Sequence, residues 1–158
     1  MPIYMKYAAL KGDVTAEGHV DWIECGSFQW GVGRGISSPT GGSKDRESSA
    51  PSVSEVVITK AQDVGSVDLL NEAYVGDGET VTIDFVKTDK GKLETYLTLI
   101  LSETMVSGYS ISSGGDRPTE SISMNFTKVE TKLNQMDASN KGATSTGITY
   151  DIALAKIA

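Results

Sequence analysis

The sequence predicts a mainly β protein: an antiparallel β-barrel or sandwich of about eight strands, with one short α-helix and one long extended loop. Three observations predict it. Apolar residues recur with a period of two through most of the chain. Turn signals separate these runs, among them KGD, CGS, GDGE, DKGK and SSGGDRP. Only one segment changes to a helical spacing. The 158 residues favour one domain over 1–158, large enough to bury about two-thirds of its unfolded surface.

The elements follow in order. Strands are expected at Ile3 to Leu10, Val20 to Glu24, Ser27 to Gly31 and Val53 to Lys60. In DVGSVDLLNEAYVGDG, Val67, Leu70 and Tyr74 recur at helical spacing, with Leu69 and Ala73 beside them. Ser66 suits the N-cap, Asp68 the first turn, and Gly76 and Gly78 the stop. In ETVTIDFVK, Val81, Ile83 and Phe85 alternate with Thr82 and Asp84. The run from Leu93 to Val106 changes face along its length, which calls for a bulge or bend. ESISMNF sets Ile122, Met124 and Phe126 against Ser121, Ser123 and Asn125. GITYDIALAK continues the pattern with Ile148, Tyr150, Ile152 and Leu154. Two long irregular segments remain, 31–52 and roughly 134–147.

Composition excludes several functions. A net charge of −7 and a pI near 4.7 leave no basic patch for nucleic acid. One cysteine, Cys25, allows no intrachain disulfide. Lys6 interrupts the N-terminal apolar run, so no signal peptide is expected. No apolar run reaches the ~20 residues of a membrane span. The chain is expected to fold in the cytoplasm and, if exported, to leave without a cleaved signal.

No catalytic, metal or cofactor site is expected. Gly31, Gly33 and Gly35 lack the further glycine of a dinucleotide loop, since Ile36 stands there, and no helix follows to hold an anion. His19 and Cys25 are the only residues of their kinds. They fit a thiolate pair less well than a buried hydrophobe and its neighbour, and zinc lacks ligands. Asp13 with Glu17, and Asp77 with Glu79, lie in turn-like segments where acids bond their own backbone. Binding or assembly is left.

The segment 36–52 carries few apolar side chains beyond Ile36, Pro39, Ala50 and Pro51, so it cannot bury itself on its own core. Strand patterns tie both its ends. It reads as a projecting arm that needs a second surface, and another copy of the chain is the simplest supplier. A floppy loop is the alternative.

At these residues the sequence resembles a known family. GHVDWIECGSFQWGVGRGISSPTGG, with MKYAALKGD before it, is similar to the Hcp family, the tube protein of the bacterial type VI secretion system. The likeness continues through VSEVVITKAQDVGSVDLLNEAYVG, GGDRPTESISMNF and TGITYDIALAKIA. It implies a β-barrel with an attached helix, assembled as hexameric rings that stack into a hollow tube. A sheath surrounds that tube, a spike caps it, and contraction expels it. Some members hold small effector proteins in the lumen.

The resemblance also assigns surfaces. The extended loop after the second main strand contacts neighbouring rings. Interface candidates are therefore Gly31, Val32, Gly33, Arg34, Gly35, Ile36, Ser37, Pro39, Thr40, Gly41, Gly42 and Lys44. In SFQWG, Phe28 and Trp30 share one face and Gln29 takes the other. Gln29 is the candidate for the lumen wall and its cargo, although alternation does not distinguish lumen from exterior. Rival readings are a phage tail tube protein, a monomeric β-sandwich binding module, and a hydrolase carried on this module. The last would need a C-terminal extension, where a final strand is expected instead.

Overall fold

The structure is a computed structural model that describes residues 1–42, 46–136 and 142–158. It is mainly β, with antiparallel sheets and one short helix. The strands are β1 (Ile3–Tyr7), β2 (Ile23–Cys25), β3 (Ser27–Gln29), β4 (Val32–Gly33), β5 (Ile36–Ser37), β6 (Glu47–Ser48), β7 (Ser52–Val53) and β8 (Val56–Ala61). After helix α1 (Ser66–Val75) come β9 (Glu79–Asp89), β10 (Lys92–Ser112), β11 (Thr119–Asn125), β12 (Lys128–Met136), β13 (Gly142–Asp151) and β14 (Lys156–Ile157). The strands outnumber the expected eight because the arm and the C-terminus add five two-residue pieces, and because β12 has no counterpart among the expected strands.

β10 organises the molecule. Its first half pairs with β9 on one side and β12 on the other, and its second half pairs with β11. The register shifts between Thr95 and Leu97, between Leu101 and Thr104, where Glu103 takes a positive φ of 49°, and again between Val106 and Gly108. The shifts before Val106 fall within the run whose change of face called for a bulge or bend, the last lies just beyond it, and together they let one strand serve two sheets. One sheet runs β2-β1-β9-β10-β12-β13-β14, and the other runs β10-β11-β8-β3. The barrel stays open along one seam. β2 pairs with β1 and β3 with β8, while Gly26 between them spans the gap by donating its N–H to Thr59 O at 2.7 Å.

The core lies between the sheets. Met5, Tyr7, Ile23, Ile83 and Leu101 meet Val56, Ile58, Ile122 and Met124 there, all fully buried. Each contributes about 1.5–3 kcal/mol by leaving water. A smaller cluster of Tyr4, Val14 and Val86, with Trp22 beside it, covers the other face of β1 and β9.

That second cluster exists because residues 11–22 do not form the strand expected from Val20. They make a tight loop in which Gly12 donates to Asp21 O and Val14 to Trp22 O. Gly12 is required there, since a Cβ would stand 2.2 Å from Trp22 O. Val20 is left exposed.

Helix α1 matches its expected bounds, but two details differ. Gly65, not Ser66, is the N-cap residue, and it makes no side-chain cap. Ser66 begins the helix and turns its hydroxyl inward, accepting the Asp63 N–H at 3.0 Å and donating to Glu120 at 2.8 Å. The helix also presents a different stripe. Leu69 and Ala73 face the core, whereas Val67 and Tyr74 are exposed.

Two further expectations change. The segment 134–147 is not irregular where it is described, for β12 runs to Met136 and β13 begins at Gly142. Threonine-rich, paired backbone needs no apolar alternation to form such a ladder. The final strand also stops at Asp151, whose Oδ1 accepts the Leu154 N–H at 3.1 Å, and the chain turns back as β14. Strands β12, β13 and β14 thus form a wing beyond the barrel.

Candidate functional site

The arm grows directly from the barrel. β3 and β8 pair as neighbours, Phe28 opposite Ile58, and the chain between them leaves as a hairpin. β4 pairs with β7, then β5 with β6, each for two residues. Gly31 and Gly35 mark the joints. Gly31 donates to Ser54 Oγ at 2.9 Å and its carbonyl accepts Ser54 N–H. Gly35 donates to Ser49 Oγ at 3.0 Å and its carbonyl accepts Ser49 N–H. The arm therefore satisfies part of its own backbone while burying almost nothing.

The residues singled out from the sequence lie along this ribbon. Val32 and Gly33 form β4, Ile36 and Ser37 form β5, and Pro39, Thr40, Gly41 and Gly42 continue toward the tip, all exposed. Gly41 has a φ of +84°. Arg34 is exposed and makes no ion pair with any described residue. Lys44 lies outside the described residues. Gln29 is exposed on β3, while Phe28 and Trp30 pack toward the core as the alternation requires.

Beside the arm's base lies a groove that sequence reading missed. Trp30, Val32, Pro51 and Val53 form one wall, and Val129, Ile148, Tyr150 and Ile157 of the wing form the other. It encloses about 440 Å³. Among the described residues, the charged ones lining it are Arg34 and Lys156, both basic.

A second feature went unread, a charged cluster inside the barrel. Lys60 and Glu120 stand directly opposite on β8 and β11, and both side chains are fully buried. The Lys60 ammonium donates to Glu120, to Ser66 Oγ at 3.1 Å and to Asp63 Oδ1 at 3.0 Å. The Tyr109 hydroxyl donates to the other oxygen of Glu120. The cluster fastens the start of α1 to the sheet.

The chemistry weighed for His19 and Cys25 finds no shared geometry. Cys25 faces the core, whereas His19 packs on the other face of β1, against Tyr4 and Trp22. His19 Nε2 meets Asp84 Oδ2 at 2.8 Å, and Asp84 Oδ1 accepts from Thr98. Burial pushes the Cys25 thiol up to about 12, helped by Asp63 and Glu24 and opposed by Lys60. Such a thiol is not a nucleophile at neutral pH. Asp13 faces Arg117 at 3.8 Å rather than Glu17. Asp77 and Glu79 flank the helix end and, after desolvation, help raise the Glu72 carboxyl above its ordinary value. Among the described residues, no group of three or more His, Cys, Asp or Glu is gathered to hold a metal ion.

Comparison with known proteins follows the same architecture. Residues 4–133 match the family described as "Type VI secretion system effector, Hcp". The fold matches a solved type six secretion system protein at a TM-score of 0.90 and 24% identity, over 99% of each chain. It matches Hcp1 from Salmonella typhimurium at a TM-score of 0.76 and 16% identity, over 99% of this chain and 98% of that one. A type VI secretion system effector from Yersinia pestis matches at 0.75 and 18% identity, over 94% and 98%. No curated protein matches the sequence.

Proposed function

The chain belongs to the Hcp family of the type VI secretion system, the family of its tube subunit, and from that premise we propose that it acts by polymerising. Six copies close a ring, and rings stack through the arm into a tube. The tube lies within a sheath, carries a spike, and leaves the cytoplasm without a cleaved signal peptide. Residues 1–158 act as one unit in this reading.

The observation that carries it is the arm. In the ribbon rooted between β3 and β8, strands β4, β5 and β6 are exposed, and none of their residues belongs to the core of its own subunit. The ribbon's two sides are tied to each other by Ser49 and Ser54 rather than by apolar contacts. Arg34 offers a cation that a chain of net charge −7 can meet on another copy. In this reading Gln29 lines the lumen and touches small effector proteins carried there, a placement taken from the family and compatible with its exposure on β3 between the core-packed Phe28 and Trp30.

Deletion of residues 36–48 tests the stacking role. Negative-stain images should show single annuli at concentrations where the parent chain forms tubes. Tubes of normal length from the deletion variant would overturn the role of the arm. A parent chain that forms no annuli at all would overturn the ring itself.

A further inference from the structure

We infer that the groove between the arm and the wing receives the outer face of helix α1 from a second copy of the chain. The inference rests on the assembly reading above and names the two surfaces that meet.

The helix is half-partnered. Leu69 and Ala73 reach the core, but Val67, Tyr74 and Val75 are 76%, 77% and 73% exposed. Three large apolar side chains on one ten-residue helix form a patch of the kind that marks a protein contact. The groove is the matching concavity, lined by Trp30, Val53, Ile148, Tyr150 and Ile157.

Charge sets the pairing. The outer side of the helix carries the exposed Asp68 and no cation, and the exposed Asp77 follows it, whereas Glu72 turns its Oε2 inward. The groove carries Arg34 and Lys156 and no anion. Two convex acidic surfaces repel, and so do two basic grooves, so the favourable union is unlike with unlike.

One chain cannot make this contact with itself as folded. No lining residue of the groove comes from α1. Val53 reaches the groove just before β8 starts, and the helix starts just after β8 ends. The six extended residues of β8 separate the two by about 20 Å. Two different complementary patches on one subunit make a head-to-tail interface, which closes into a ring when the rotation allows.

Cross-linking tests it in the full chain. Tyr74→Cys and Ile148→Cys are made singly and together, then treated with a bis-maleimide under conditions that give annuli. Cys25 stays silent, being buried with its thiol pushed up to about 12. The double variant should yield a covalent ladder up to the full ring. Each single variant should stay monomeric, and a mixture of the two should stop at dimers. Annuli without a ladder overturn the inference and leave the tube reading standing. A double variant arrested at dimers overturns it too, since that marks a symmetric contact. Cross-linking of the groove cysteine only to a foreign cargo chain has the same meaning. As a second measurement, Tyr74→Asp should raise the concentration needed for annuli at least tenfold while leaving circular dichroism unchanged. Unchanged assembly counts against the proposal.

Discussion

Lys60→Met is the most informative single substitution. Methionine is close to the lysine stem in length, so the shape of the barrel interior is kept. The ammonium is lost, and Glu120 is left as a fully buried carboxylate with two hydroxyl donors, Ser66 and Tyr109, and no countercharge. Removing one partner of a buried pair costs about 3–5 kcal/mol. A domain of this size shifts by about 2–4 °C per kcal/mol, so the melting temperature should fall by about 6–20 °C. That is a large share of a typical total stability of about 5–15 kcal/mol.

The double variant Lys60→Met/Glu120→Met separates charge from packing. With both charges gone, apolar side chains fill the same space, a replacement often neutral or better. It should be more stable than Lys60→Met alone, although Asp63 loses a partner. The assay is urea unfolding at assembly-free dilution, followed by the fluorescence of Trp22 and Trp30. A loss below about 1 kcal/mol, or a double variant as weak as the summed singles, would refute the argument that the pair is coupled.

Two other outcomes are expected. Burial, then Glu79, Asp77 and Asp68, raise the Glu72 carboxyl above its ordinary 4.5. A raised acid favours the fold below its unfolded value and penalises it as pH climbs through the folded one. Glu72→Gln should therefore stabilise the chain near neutral pH and do nothing below about pH 4; a gain confined to acid would contradict this. Gln29→Arg should leave annuli intact and release bound effector in co-purification. Full retention of cargo by intact annuli would remove Gln29 from the lumen.

Much of the fold was legible because half-buried strands write their inward face at every second residue. Val56, Ile58, Ile122 and Met124 all fell inside as the alternation required. The same rule contained the charged cluster. Lys60 lies in phase with Val56 and Ile58, and Glu120 in phase with Ile122 and Met124, so their burial could have been read. The helix misled because Val67 and Tyr74 are apolar yet outward, and local spacing does not tell a core from a docking face. The β13 region misled for the same reason, with Ile148 and Leu154 exposed. The groove was beyond sequence reading. It joins Trp30 to Tyr150 across three-quarters of the chain, and no local period encodes that contact.

These misreadings have one physical origin. Ile36 and Val32 on the arm, Val67 and Tyr74 on the helix, and Ile148 and Ile157 on the wing are each about half exposed or more. In a monomer such side chains forgo most of the burial energy that the core residues gain. They cannot be accounted for by solubility, which the charge of −7 already serves. Net repulsion between copies then acts as a filter. It opposes indiscriminate association of these apolar surfaces, and in the proposed docking it is relieved where Arg34 and Lys156 meet acidic residues. Local pairing of opposite charge at contact distance outlasts screening that removes the long-range term beyond about 8 Å at physiological salt. A polymer built on the proposed contact would select one geometry among many sticky ones, and the exposed apolar positions that defeat a fold-only reading would be the ones that specify the assembly.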